Sequence, residues 1–77
     1  MSTTDIRSRD GDAGARIADR VREGIVGGTF PPGTRIRQED LAEQFGASRV
    51  PVREAIRQLE YEGLITVVPN SGAWVSR

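Results

Sequence analysis

The stretch from Leu41 to Gly63 constrains this chain most, because it reads as two helices broken at Gly46-Ala47-Ser48. Glycine accepts the left-handed backbone that ends a helix, so Gly46 is the predicted stop. Ser48 is the predicted N-cap of the next helix, its hydroxyl bonding a free N–H of the first turn. A short helix, a tight turn containing glycine and a second helix that begins with arginines is the layout of a helix-turn-helix, whose second helix enters the major groove of DNA.

Both helices carry an inward stripe. In Gln38 to Phe45 it is Leu41, Ala42 and Phe45, with Glu39 and Asp40 in the first turn, where acids suit the helix dipole. That structural reason for the acids outweighs a metal or catalytic one. In Arg49 to Glu62 the stripe is Val52, Ala55, Ile56 and Leu59, at i, i+3, i+4 and i+7. Pro51 falls in the first turn, where its missing N–H would have had no intrahelical partner. Gly63 ends the helix. At 3.6 residues per turn, Arg49 and Arg53 lie about 40° apart and Arg57 about 40° further round. The arginines therefore flank the buried stripe and project along one edge.

Such an edge has two readings. One is a solvated face. The other is a face for an anion, and the spacing favours it. Arg53 and Arg57 form an i, i+4 like-charge pair, unfavourable in isolation, and neither Glu54 nor Glu60 is placed to neutralise Arg49 and Arg53. An arginine pairs bidentately with guanine O6 and N7, and the free N–H groups of a helix N-terminus suit phosphate.

Composition narrows the class. Seventy-seven residues make one domain with a small, marginal core. The chain has no cysteine and no histidine, so it has no disulfide and none of the usual zinc ligands. No metal or cofactor is expected, and with no phosphate-cradling glycine loop either, no enzyme is expected. No apolar run is long enough to span a membrane, and the N-terminus lacks the apolar region of a secretory signal, so a cytoplasmic protein is expected. Zero net charge and a pI near 6.2 run against the strongly basic balance of many DNA-binding domains. The charges are segregated, however, with Asp5, Asp10, Asp12, Glu39, Asp40 and Glu43 lying away from Arg49, Arg53 and Arg57. All eleven basic residues are arginine, whose planar fork suits phosphate and guanine, although the codon usage of a high-GC genome gives the same composition.

In chain order, residues 1–12 read as a mobile polar tail and 13–77 as the domain. Ile17, Ala18, Val21, Ile25 and Val26 recur at helical spacing and predict a scaffold helix from Ala13 to Gly27. Gly24 inside it costs about 1 kcal/mol against alanine. Thr29 to Thr34 is a Pro/Gly connector with Phe30 as a plug in the core. Arg35-Ile36-Arg37 is extended, a short strand that can pair with the C-terminal ones. Leu64 to Val68, a four-residue tip Pro69-Asn70-Ser71-Gly72, and Ala73 to Ser76 predict a β-hairpin. The expected fold is α+β, a winged helix-turn-helix of three helices and a small antiparallel β-hairpin wing. The helix-turn-helix occupies about 38–57 and the wing about 64–76. The small polar tip fits a minor groove or backbone phosphates, and equally an ordinary turn. Tyr61 and Trp74 are expected in the core or at its edge, since no basic row of aromatics surrounds them.

Pro32-Gly33-Thr34-Arg35-Ile36, Leu41-Ala42, the run Ser48-Arg49-Val50-Pro51-Val52-Arg53-Glu54-Ala55, then Leu59-Glu60-Tyr61-Glu62-Gly63-Leu64-Ile65 and Gly72-Ala73-Trp74-Val75 resemble the GntR family of bacterial transcription regulators. The resemblance covers about residues 14 to 77. It implies an N-terminal winged helix that binds duplex DNA, and a C-terminal effector-binding and dimerisation domain that is expected to be absent from this chain. It implies that Arg49 and Arg53 read guanine, and that Ser48, Val50 and Pro51 lie against bases or phosphate. Asn70, Ser71 and Gly72 match the tip that enters the minor groove, and Arg35 and Arg37 approach the backbone. Val50 stands where the family more often has threonine, trading a hydroxyl for a surface that suits a thymine methyl. A palindromic operator and a homodimer of the full-length protein are the implied partners. The rival expectation, supported by the zero net charge, is a winged helix whose arginine edge meets an acidic protein.

Overall fold

In a computed structural model, the backbone of residues 2–77 and the side chains of residues 13–77 are described. The order of elements is α1 (Ser2–Val26), β1 (Arg35–Ile36), α2 (Gln38–Phe45), α3 (Arg49–Tyr61), β2 (Ile65–Val68) and β3 (Gly72–Val75). The three strands form one antiparallel sheet in the order β1-β3-β2. This is the expected winged helix-turn-helix, with β1 added to the hairpin. Helix α1 begins at Ser2 rather than near Ala13. The tail expected over 1–12 lies outside the residues whose side chains are described.

The core is where the stripes meet. Ile17, Ala18 and Val21 of α1 pack with Leu41 of α2 and with Val52, Ala55, Ile56 and Leu59 of α3. Ile36, Ile65, Ala73 and Val75 close it from the sheet, and Phe30 and Phe45 pack against its margin. Side chains alternate along a strand, so β3 buries Ala73 and Val75 while Trp74 stays half-buried on the other face. Burying apolar surface is worth about 25 cal/mol per Å², and α3 gives up most, with Val52 and Leu59 fully enclosed. Val26 falls off the stripe and is exposed as the last residue of the helix.

Two short connections fix the geometry. At the helix-turn-helix corner, Gly46 has φ 60° and ψ 38°, and the Ala47 N–H donates to the Ala42 carbonyl at 3.0 Å. Between α1 and β1, the Thr34 N–H donates to the Pro31 carbonyl at 3.0 Å, with Pro32 and the positive-φ Gly33 between them, the pattern of a type II turn. The chain then runs alongside β3, the Val75 N–H donating to the Thr34 carbonyl at 2.8 Å.

Gly24 has a packing reason that periodicity does not show. A Cβ at this position would lie 2.5 Å from the Phe30 ring, and the Phe30 N–H donates to the Gly24 carbonyl at 3.0 Å. The missing side chain lets Phe30 lie against α1 and start the connector at a fixed place.

Helices α1 and α3 are also clamped at the surface. Arg22 makes a two-pronged contact with Glu62 at 2.8 and 2.7 Å and reaches Asp19 at 2.6 Å. Gln58 donates to the same Glu62 carboxylate at 2.7 Å. The bonds from Arg22 and Gln58 pull the Glu62 carboxyl down to about 2, and the bonds to Glu62 and Asp19 push the Arg22 guanidinium above its ordinary value.

Candidate nucleic-acid interface

The head of α3 stands clear of the body. Ser48, Arg49, Val50, Arg53 and Arg57 are exposed, and Val50 keeps 62% of its surface despite being apolar. Among the described residues the only ion pairs involve Arg22, so Arg37, Arg49, Arg53 and Arg57 have no carboxylate partner. The buried stripe holds the helix from behind, and the arginine edge faces water at about 6 Å per helical step of four residues.

Two expectations at this helix head need correction. Ser48 occupies the N-cap position with an extended backbone, but its side chain makes no cap hydrogen bond, which leaves the hydroxyl and the first-turn N–H groups free for a ligand. Pro51 is buried among the core residues of α3, so its ring faces inward and is not part of the exposed surface. Two residues past Leu59, Tyr61 is rotated to the far side of the helix from that buried position. It is 88% exposed, and stands at i+4 from Arg57, at the outer end of the arginine edge.

The wing tip is a three-residue loop, Pro69-Asn70-Ser71, rather than four, because Gly72 already pairs with Val68 as the first residue of β3. The Ser71 N–H donates to the Val68 carbonyl at 3.0 Å. Pro69 presets the first corner and Asn70 takes a left-handed φ of 63°, again the type II pattern. Asn70 and Ser71 are exposed, whereas Gly72 is half-covered.

Gly72 is covered by Arg35. The two are brought together by register, since Arg35 of β1 lies opposite Trp74 of β3. The Arg35 guanidinium lies 5.5 Å from the centre of the Trp74 ring and donates from Nη2 to the Ser71 carbonyl at 3.0 Å. A Cβ on Gly72 would meet Arg35 Nε and Nη2 at 3.1 Å, and Gly72 has φ 143°, which only glycine adopts without strain. Sequence reasoning names Arg35 for a different role and does not find this contact.

Two grooves join these parts. One, of about 410 Å³, lies between the wing and the head of α2, lined by Arg35, Arg37, Gln38, Glu39, Asn70 and Ser71 with Ile56 of α3 among them. The other is lined by Gln38, Glu39, Ala42, Glu43 and Arg49. Gln38 and Glu39 belong to both. The surface therefore runs unbroken from Arg49, across the first turn of α2, to Arg37, Arg35 and the wing tip. Of the residues expected to form the site, Arg35, Arg37, Arg49, Asn70, Ser71 and Gly72 line these grooves, Ser48, Val50 and Arg53 are exposed on the head of α3 outside them, and Pro51 is buried. The surface carries the Arg49, Arg35 and Arg37 guanidinium groups and the small polar wing tip, with the Glu39 and Glu43 carboxylates beside Arg49.

The comparisons agree with this geometry. The sequence model described as bacterial regulatory proteins, gntR family, matches residues 13–75. YdhC of Bacillus subtilis, an uncharacterized HTH-type transcriptional regulator, is 44% identical over 54 residues, 70% of this chain and 24% of YdhC. The mannosyl-D-glycerate transport/metabolism system repressor MngR of Escherichia coli is 43% identical over 61 residues, 78% of this chain and 25% of MngR. A crystal structure of a GntR family transcriptional regulator from Pseudomonas syringae pv. tomato matches with a TM-score of 0.78 and 46% identity, over 84% of this chain and 27% of that one. The AraR DNA-binding domain, crystallised with operator ORX1, matches with a TM-score of 0.77 and 31% identity, over 83% of this chain and 78% of its own. This chain spans about a quarter of the length of the two curated relatives. These relatives are regulators rather than enzymes. The chain belongs to the gntR family of bacterial regulatory proteins, and its fold is a winged helix-turn-helix.

Proposed function

We propose that this domain binds duplex DNA sequence-specifically as part of a transcription regulator, with the head of α3 in the major groove and the wing in the adjacent minor groove. One observation carries the reading: Arg49 and Arg53 project, exposed and without carboxylate partners among the described residues, along one edge of a helix whose adjoining stripe is buried. A major groove about 12 Å wide admits such a helix, and a guanidinium fork matches guanine O6 and N7. Ser48 and the free N–H groups at the helix start take a phosphate, Val50 meets base edges, and Arg37 lies along the backbone. Asn70, Ser71 and the backbone at Gly72 meet the minor groove. The AraR DNA-binding domain, which shares this fold, is crystallised in complex with an operator, which supports duplex DNA as the ligand here.

The regulator works as a homodimer on a palindromic operator, its two helices reading half-sites one helical turn or more apart, since two-fold protein symmetry requires two-fold DNA. A lone domain then binds weakly, without the gain that a linked second half-site supplies. A duplex-DNA target fits a cytoplasmic location, and among the described residues no helix is long and apolar enough to cross a membrane.

The zero net charge supports one rival, a protein partner with an acidic surface. Fluorescence anisotropy on a labelled duplex at rising salt separates the two. Specific binding falls by about 0.9 log units per phosphate contacted for each log unit of salt. Arg49→Ala and Arg53→Ala each weaken binding by about 1–3 kcal/mol. Both leave thermal unfolding in place. Undiminished binding by both variants at moderate salt removes the proposal.

A further inference from the structure

We propose that Arg35 is a positioning residue of the wing: it fixes the tip that reads the minor groove, rather than reading bases or phosphate itself. The inference rests on the proposed docking mode and deepens it. A two-stranded hairpin is marginal alone, and this one ends in an exposed turn with a left-handed Asn70. Three contacts from one side chain hold it. The guanidinium stacks over Trp74, donates to the Ser71 carbonyl and lies close over Gly72, 3.1 Å from where a Cβ would stand. All three partners lie on the tip or on β3, and Arg35 comes from β1, thirty-six residues before Ser71. β1 has only two residues, and Arg35 is the one facing out of the core, while Ile36 anchors the strand inside it. Spanning ring and carbonyl at once needs a planar, multi-donor cation, which lysine lacks. A tip held in its bound shape loses less conformational freedom on meeting DNA, so the contribution appears as affinity and as discrimination.

The test uses the 77-residue chain and a duplex recovered by selection from a random pool. In the segment facing the wing, inosine replaces guanine, or 2,6-diaminopurine replaces adenine. Either swap changes the N2 amine in the minor groove. At guanines facing α3, 7-deazaguanine removes a major-groove acceptor. The wild type is expected to respond several-fold to both kinds of swap. Arg35→Gln is expected to lose the minor-groove response to within two-fold and to keep the major-groove one, and Arg35→Lys to recover only part of it. Amide shifts confined to Ser71, Gly72 and the Trp74 indole show that the variant is folded and the tip displaced. If Arg35→Gln keeps the full minor-groove response and weakens every duplex equally, with a salt slope lower by about 0.9, Arg35 is a phosphate contact and the inference is overturned. If the wild type itself ignores the minor-groove swap, the docking of the wing falls, and the inference with it. If Arg35→Gln is unfolded, the comparison passes to Arg35→Lys, which must show the same selective loss in weaker form.

Discussion

Gly24→Ala tests whether packing or helix propensity decides the α1–β1 junction. Inside a solvated helix this change stabilises by about 1 kcal/mol. Here the new Cβ would sit 2.5 and 2.6 Å from two carbons of the Phe30 ring. The ring must move, and Phe30 is tied to the same residue through its own N–H. Forcing a packed side chain aside costs about 1–3 kcal/mol. The net expectation is destabilisation by roughly 0–2 kcal/mol, as the difference of these two terms. The sign is exposed by a cycle. In a Phe30→Ala background nothing opposes the new methyl, and Gly24→Ala should stabilise by about 1 kcal/mol. Urea unfolding followed by far-UV circular dichroism and by Trp74 emission measures all four proteins. If Gly24→Ala stabilises the wild-type and Phe30→Ala backgrounds equally, the packing argument is wrong.

Two further predictions follow from single contacts. The Glu62 carboxyl is held near 2 rather than 4.5 by Arg22 and Gln58, so its contribution is complete above pH 4.5 and is lost as pH falls toward 2. Glu62→Gln should lower stability at neutral pH and flatten the acid limb of the stability curve across that window, as read by urea midpoints at several pH values. Val50 presents an exposed apolar surface at the head of α3, which suits a thymine C5-methyl. Replacing thymine by uracil at one major-groove position should weaken the wild type, and Val50→Ser should be indifferent to the swap; equal responses by both proteins would count against the contact.

The helix-turn-helix was legible in the sequence because it rests on local rules. The stripe Val52, Ala55, Ile56, Leu59 and the Gly46 stop define α2 and α3, and the structure places α2 at Gln38–Phe45 as the pattern predicts. The hairpin was legible from its turn residues, one residue out at the tip. What was not legible depends on side chains meeting across the fold. Arg22 and Glu62 are forty residues apart, and no periodicity pairs them. Arg35 is sent to the wing by the β1–β3 register, which a two-residue strand does not announce. Tyr61 was expected in the core or at its edge, whereas its place on the helix puts it outside. The family resemblance implied that Pro51 lies against bases or phosphate, whereas it is buried in the first turn of α3.

The central claim is that the exposed arginines at the head of α3 choose the DNA sequence. Selection of bound duplexes from a random pool, run in parallel with the wild type, Arg49→Ala and Arg53→Ala, tests it most directly. The account predicts a short motif containing guanines for the wild type, and loss of guanine preference at a different position in each variant. A motif that survives both substitutions unchanged, or no enrichment at all, contradicts it.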